Sequence, residues 1–128
     1  MSQKEAIELW LEGARKSLRA ARVLHTDGNE ELALFHCHLS TEKVLKALYI
    51  FEHDCAAPKT HDLSSLASEL EDKILKEHFE ELRNMSKFSV AGRYDDIEIL
   101  EDELATARVE HWITLSDSLL QHAENKTR

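Results

Sequence analysis

Residues 34–66 read LFHCHLSTEKVLKALYIFEHDCAAPKTHDLSSL, and the spacing within them decides the fold. Ala33, Leu34, Cys37, Val44, Leu48 and Phe51 recur at helical intervals and predict a wide apolar arc on a helix over about 30–53. The opposite side carries Phe35, Leu39, Glu42, Lys46, Tyr49 and His53. A helix that is apolar on one side and mixed on the other is expected at the centre of a domain. Its second face then meets either a partner or other helices of the same chain. Glu42 and Lys46 stand four apart in the order that favours an intrahelical ion pair. A loop with the only proline, Pro58, follows, and then Thr60-His61-Asp62-Leu63. Thr60 or Asp62 is placed to cap a short helix over about 63–70, with His61 set to hydrogen-bond across the loop.

The rest of the chain extends the same pattern. Ile7, Leu11, Ala14, Leu18 and Ala21 form one stripe of a helix over about 3–26, stopped by Asp27-Gly28-Asn29. Leu75, Phe79, Leu82 and Met85 predict an inner face for a helix over about 72–87. Asp95-Asp96-Ile97-Glu98 resembles a capping box opening a last helix that reaches about residue 124 through His111, Trp112, Leu115 and Leu119. Three glycines and one proline in 128 residues leave too few turns for a β-rich fold. The expected architecture is all-α, a single up-down antiparallel bundle of four long helices and one short one.

Charge and cysteines narrow the function classes. The net charge of −9 comes from 16 basic and 25 acidic residues, and positions 69–110 hold thirteen acids against six bases. Broad non-specific nucleic-acid binding needs a basic face, so only a local patch could serve, and DNA sequence recognition is not expected. Arg15, Arg19 and Arg22 on the first helix make the densest such patch, either phosphate-binding or paired with acids. Cys37 and Cys55 belong to no CxxC pair and read as free thiols. His36, Cys37 and His38 point apart around a helix, and His53, Cys55, His61 and Asp62 match no zinc spacing, so no metal or cofactor is expected. With no long apolar run and a charged N-terminal stretch, the chain is expected to be cytoplasmic and to have no membrane partner.

The early helix, the Glu42-Lys43-Val44-Leu45-Lys46-Ala47-Leu48 step, the Thr60-His61-Asp62-Leu63 turn and the Gly92-Arg93-Tyr94-Asp95 loop, in this order, resemble the HEPN family. The resemblance implies a helical bundle that forms a homodimer and associates with a minimal nucleotidyltransferase, in arrangements akin to toxin and antitoxin. It implies nucleotide or RNA as ligand. Catalytic members of the family carry an arginine, then four to six residues, then a histidine. Metal-independent RNA cleavage needs a base near neutral pKa for the 2′-hydroxyl, and a fixed cation for charge building on the phosphate. Here Arg83-Asn84 stands where that motif would begin, but Phe88, Ser89 and Val90 occupy the histidine positions. Arg19 and His25 have the spacing but project about 120° apart on one helix.

Candidate ligand-binding residues are therefore Arg83, Asn84, Arg93, Tyr94 and His61, with Arg83 and Asn84 as the candidates for any catalysis. Candidate interface residues are Phe35, Leu39, Glu42, Lys46 and Tyr49. The expected function is a binding and interaction module. The alternatives are a metal-independent endoribonuclease whose histidine comes from elsewhere, such as His61, and a purely structural dimer.

Overall fold

The computed structural model describes residues 1–89, 103 and 105–128; Arg93 and Tyr94 lie outside the described residues, as does the start expected for the last helix. The described residues form six α-helices: α1 (Gln3–Thr26), α2 (Glu30–His53), α3 (Leu63–Ser68), α4 (Lys73–Glu77), α5 (Phe79–Met85) and α6 (Thr106–Lys126). A 3₁₀ turn, Ser86–Phe88, follows α5. The fold is an all-α helical bundle.

Local chemistry sets the ends. Ser2 and Glu5 cap α1 reciprocally, each side chain bonding the other's backbone N–H. Gly28, with φ +81°, turns the chain into α2. The Gln3 side chain reaches the carbonyl of Ile50, so α1 and α2 run antiparallel. Along their seam the Ser40 hydroxyl donates to the Ala14 carbonyl at 2.9 Å, fully buried. Gly13 lets Lys43 lie close against α1, where its ammonium donates to Ser17. Arg15 with Glu124 and Arg22 with Asp117 set α6 antiparallel to α1, and Thr41 donates to Ser116 across the α2–α6 contact. The predicted stripe Ile7, Leu11, Ala14, Leu18 and Ala21 is buried throughout. Of the α2 arc, Ala33, Leu34, Cys37, Val44 and Leu48 are buried, whereas Phe51 is exposed near the helix end.

The segment expected as one helix over 72–87 is interrupted. His78 leaves helical geometry (φ −106°, ψ 16°), ending α4 and opening α5. Leu75, Leu82 and Met85 are buried, but the break turns Phe79 outward. The His78 ring meets Glu81 at 2.7 Å, and the other Glu81 oxygen meets His111 of α6 at 2.9 Å, which ties the interrupted segment to the last helix.

Asp72 anchors the far end of this segment. One of its oxygens accepts from the Leu75 N–H and caps α4; the other meets His122 Nε2 at 2.8 Å and Lys126 Nζ at 2.7 Å. Burial pushes its carboxyl pKa up, but Lys126 and His122 outweigh burial and bring it down from 3.8 to about 2. A depressed carboxylate adds stability that is complete above its unfolded pKa and disappears as pH falls through its folded one. Asp72→Asn is expected to lower stability near neutral pH by about 2 kcal/mol. It should also flatten the acid limb between pH 3.8 and about 2 in urea melts.

Candidate functional site

Glu42 lies midway along α2, 5% exposed, yet carries a carboxylate. A charge can remain there only if its oxygens are met. Lys46, one helical turn on, meets Oε2 at 3.2 Å, and His61 from the loop before α3 meets Oε1 at 2.8 Å. The ion pair expected from sequence is thus present, with a third member from the loop. An ionised carboxylate only accepts, so the His61 Nδ1–H donates to it. The ring itself is exposed, and its Nε2 is left unprotonated in the neutral tautomer. Lys46 in turn lies over the Trp10 ring, 5.3 Å from its centre.

Two backbone devices bring His61 to this place. Asp54 adopts the left-handed conformation (φ 52°, ψ 40°) and its N–H caps the end of α2, a geometry an aspartate tolerates better than most residues. At the other end of the loop Asp62 accepts from the Ser64 and Ser65 N–H groups and caps α3. Between them the His61 carbonyl accepts from His38 Nε2 at 2.9 Å. His38 is 1% exposed, and its other ring nitrogen, Nδ1, has no partner among the described residues. Burial holds the His38 pKa below its ordinary 6.5, against weaker opposing pulls from the His61 carbonyl and Glu42.

The start of α3 also touches the candidate arginine's neighbourhood. The Leu63 N–H donates to Ser86 Oγ at 2.9 Å, three residues beyond Arg83. Arg83 is 66% exposed along its side chain and, among the described residues, reaches only Glu80, at 3.8 Å; Asn84 is exposed beside it. His61, Arg83 and Asn84 therefore belong to adjoining elements. Phe88, at the first position where a motif histidine would stand, is buried and packs edge-on against Trp112, with ring centres 5.2 Å apart. The Trp112 N–H donates to Glu103 at 2.7 Å. Of the α1 arginines, Arg15 is committed to Glu8, Glu12 and Glu124 and Arg22 to Asp117, whereas exposed Arg19 forms no ion pair among the described residues.

The mixed face of α2 is divided. Glu42 and Lys46 are buried by the chain's own loop and α1, while Phe35, Leu39 and Tyr49 remain half-buried. Tyr49 stacks on His53, whose Nε2 meets the Glu69 carbonyl. Sequence reasoning missed His38 and Trp10 as members of the network. His38, Glu42 and Lys46 recur every four residues, a stripe that could have flagged the first. Trp10 comes from another helix and gave no local signal. Both cysteines are free, and burial pushes the Cys37 thiol up to about 12. Among the described residues no group of three or more His, Cys, Asp or Glu is arranged to hold a metal ion, and no helix is long and apolar enough to cross a membrane.

A family profile for the HEPN domain matches residues 7–126, nearly the whole chain. The chain belongs to the HEPN family. Among solved structures it is similar to TT1696 from Thermus thermophilus, with a TM-score of 0.78 and 23% identity over 94% of this chain and 97% of that one. At that identity the likeness speaks for the helical-bundle fold alone. A comparison with curated proteins finds no match.

Two measurements test this geometry. Because folded His38 resists protonation, its contribution to stability is complete above pH 6.5 and declines as pH falls below it. His38→Gln should remove that part of the pH dependence in denaturant melts between about pH 8 and about pH 5. Phe88→His should cost about 2–4 kcal/mol of stability, because it places a polar ring in the core against Trp112. A variant as stable as the parent would show that the Phe88 position is not a core position.

Proposed function

We propose that this HEPN bundle is a homodimeric interaction module that associates with a nucleotidyltransferase, in a toxin–antitoxin-like arrangement, and offers the Arg83-Asn84 corner to a nucleotide or RNA end. The observation that carries the reading is the state of Arg83. It is an exposed guanidinium with a single stretched ionic neighbour among the described residues, next to an exposed amide and adjoining the His61 turn. A guanidinium in that state suits bidentate phosphate contact, and an adjacent amide suits a base or sugar edge. Arg93 and Tyr94 lie outside the described residues; by residue type they remain candidates, the first for phosphate and the second for stacking. The acidic balance of the chain favours a small local contact over a long duplex.

The protein surface would be built on the half-buried α2 residues Phe35, Leu39 and Tyr49, with Glu42 and Lys46 as the buried support beneath. Leu39→Glu is expected to abolish self-association or nucleotidyltransferase association in sedimentation, with helicity by circular dichroism unchanged. A parent protein that sediments as a monomer and ignores a nucleotidyltransferase would remove this part of the reading. For the ligand, Arg83→Ala should weaken binding of a short labelled RNA by about tenfold and reduce the salt slope by about one. Equal binding by parent and variant at every salt concentration would remove Arg83 from the contact.

A second reading has its own support, the Glu42–His61 pair. A buried carboxylate that fixes the tautomer of an exposed imidazole is how a general base is oriented. In a metal-independent ribonuclease His61 would then take the place of the absent motif histidine. That reading requires RNA cleavage in excess chelator that disappears in both Arg83→Ala and His61→Ala. Intact RNA with folded protein leaves the interaction module as the function.

A further inference from the structure

Trp10 and Lys46 also belong to a groove on the other side of the Glu42 network. It is an open cavity of about 550 Å³ between the start of α1, the end of α2 and the loop at 54–59. Ala6, Trp10, Ile50 and Pro58 provide apolar wall, while Lys46 and Lys59 contribute ammonium groups and Asp54 a single carboxylate. That volume falls within the range of small-molecule sites, which combine apolar walls with a few placed polar groups.

Lys46 is the unusual member. It is a lysine 7% exposed, and an ammonium carries three donors. It pairs ionically with Glu42 Oε2 at 3.2 Å and lies 5.3 Å from the centre of the Trp10 ring. No other acceptor is present for it among the described residues. Lys59, at the rim, is exposed and forms no ion pair among them either. A largely buried ammonium that lines the cavity, next to a second ammonium without an ion pair among the described residues and a flat aromatic wall, complements an anion attached to a planar apolar body.

We propose that this groove binds a small aromatic carboxylate, its ring against Ile50, Pro58 and the part of the Trp10 indole that Lys46 leaves open, its carboxylate on Lys46 and Lys59. The site lies apart from the Arg83 corner and does not depend on the function proposed for it. The two ammonium groups set the selectivity: both a carboxylate and a neutral acceptor can take a hydrogen bond from Lys46, but only the carboxylate adds ionic attraction to Lys46 and Lys59. A neutral alcohol of the same shape lacks that attraction, and an amine is repelled.

The chain has two tryptophans, so its indole N–H region in a nitrogen–proton correlation spectrum holds two signals. Trp112 is buried and bonded to Glu103, which makes it an internal reporter of the fold. Benzoate titrated into the labelled protein should move the Trp10 signal saturably, with a dissociation constant on the order of 1 mM for a ligand of this size. The Trp112 signal should stay in place. Benzyl alcohol should bind at least about tenfold more weakly, and benzylamine not at all. Lys46→Met should erase the preference for benzoate while Trp112 keeps its position. Should that variant fail to fold, Lys59→Glu, an exposed change, should still weaken benzoate several-fold. A Trp10 signal unmoved by benzoate at about 10 mM would overturn the proposal, as would equal binding of benzyl alcohol or full benzoate affinity in Lys59→Glu.

Discussion

The Glu42 carboxylate is the constraint from which the site takes its shape. Placed in the middle of the central helix, it is too buried to remain charged without partners and too polar to be left unmet. Lys46 alone would satisfy one oxygen. The second is met by His61, and that requirement brings the loop after α2 back over the helix. Breaking such a pair by removing one partner costs more than the pair itself contributes, because a charge is left behind in the interior. The loop is therefore held at three points, by Glu42, by His38 on the His61 carbonyl and by the Asp62 cap. An exposed imidazole in a fixed orientation follows from this arrangement, and so does the fixed depth of Lys46 in the groove beside Trp10.

The same logic explains how an acidic chain keeps its helices together. Its carboxylates are not spread as a uniform solvated coat. Asp72 joins α4 to the end of α6 through His122 and Lys126, and Glu81 joins α5 to α6 through His78 and His111. Arg15 collects three glutamates, one of them from α6. Histidines supply many of the partners in these tertiary ties. The cost falls on binding: cations used to hold helices are unavailable to a phosphate, and exposed Arg83, with only a distant Glu80, is one of the few arginines left over among the described residues, with Arg19 on α1.

The long helices were legible because apolar spacing and stop signals agree. Ile7 to Ala21 on one stripe and Gly28 after it place α1 and the start of α2 where they are found. The break at His78 was not legible, because Leu75, Phe79, Leu82 and Met85 fit an unbroken helix as well as a broken one. Phe79 turns outward only because His78 leaves helical geometry and its ring pairs with Glu81, a choice made by tertiary contact with His111. Glu42 and Lys46 were visible as a local pair. That His61 and His38 join them depends on a loop path that no periodicity encodes. Arg83 and Asn84 were located by family spacing, and their exposure is a structural fact that spacing does not contain.

Phe88 shows why the missing motif histidine is more than a substitution. Its side chain is packed edge-on against Trp112, and Trp112 is in turn bonded to Glu103 near the start of α6. The 3₁₀ turn after α5 thus directs this position inward, toward the core. An imidazole there would need a partner among apolar neighbours and would face away from any substrate at the exposed Arg83. Restoring chemistry at this corner would require turning the backbone as well as changing the residue. His61 meets the opposite condition, since its ring is exposed and its orientation is already set by a buried carboxylate. In the ribonuclease reading proposed above, the proton would therefore fall to His61 in the loop between α2 and α3, and the charge to Arg83 near the end of α5.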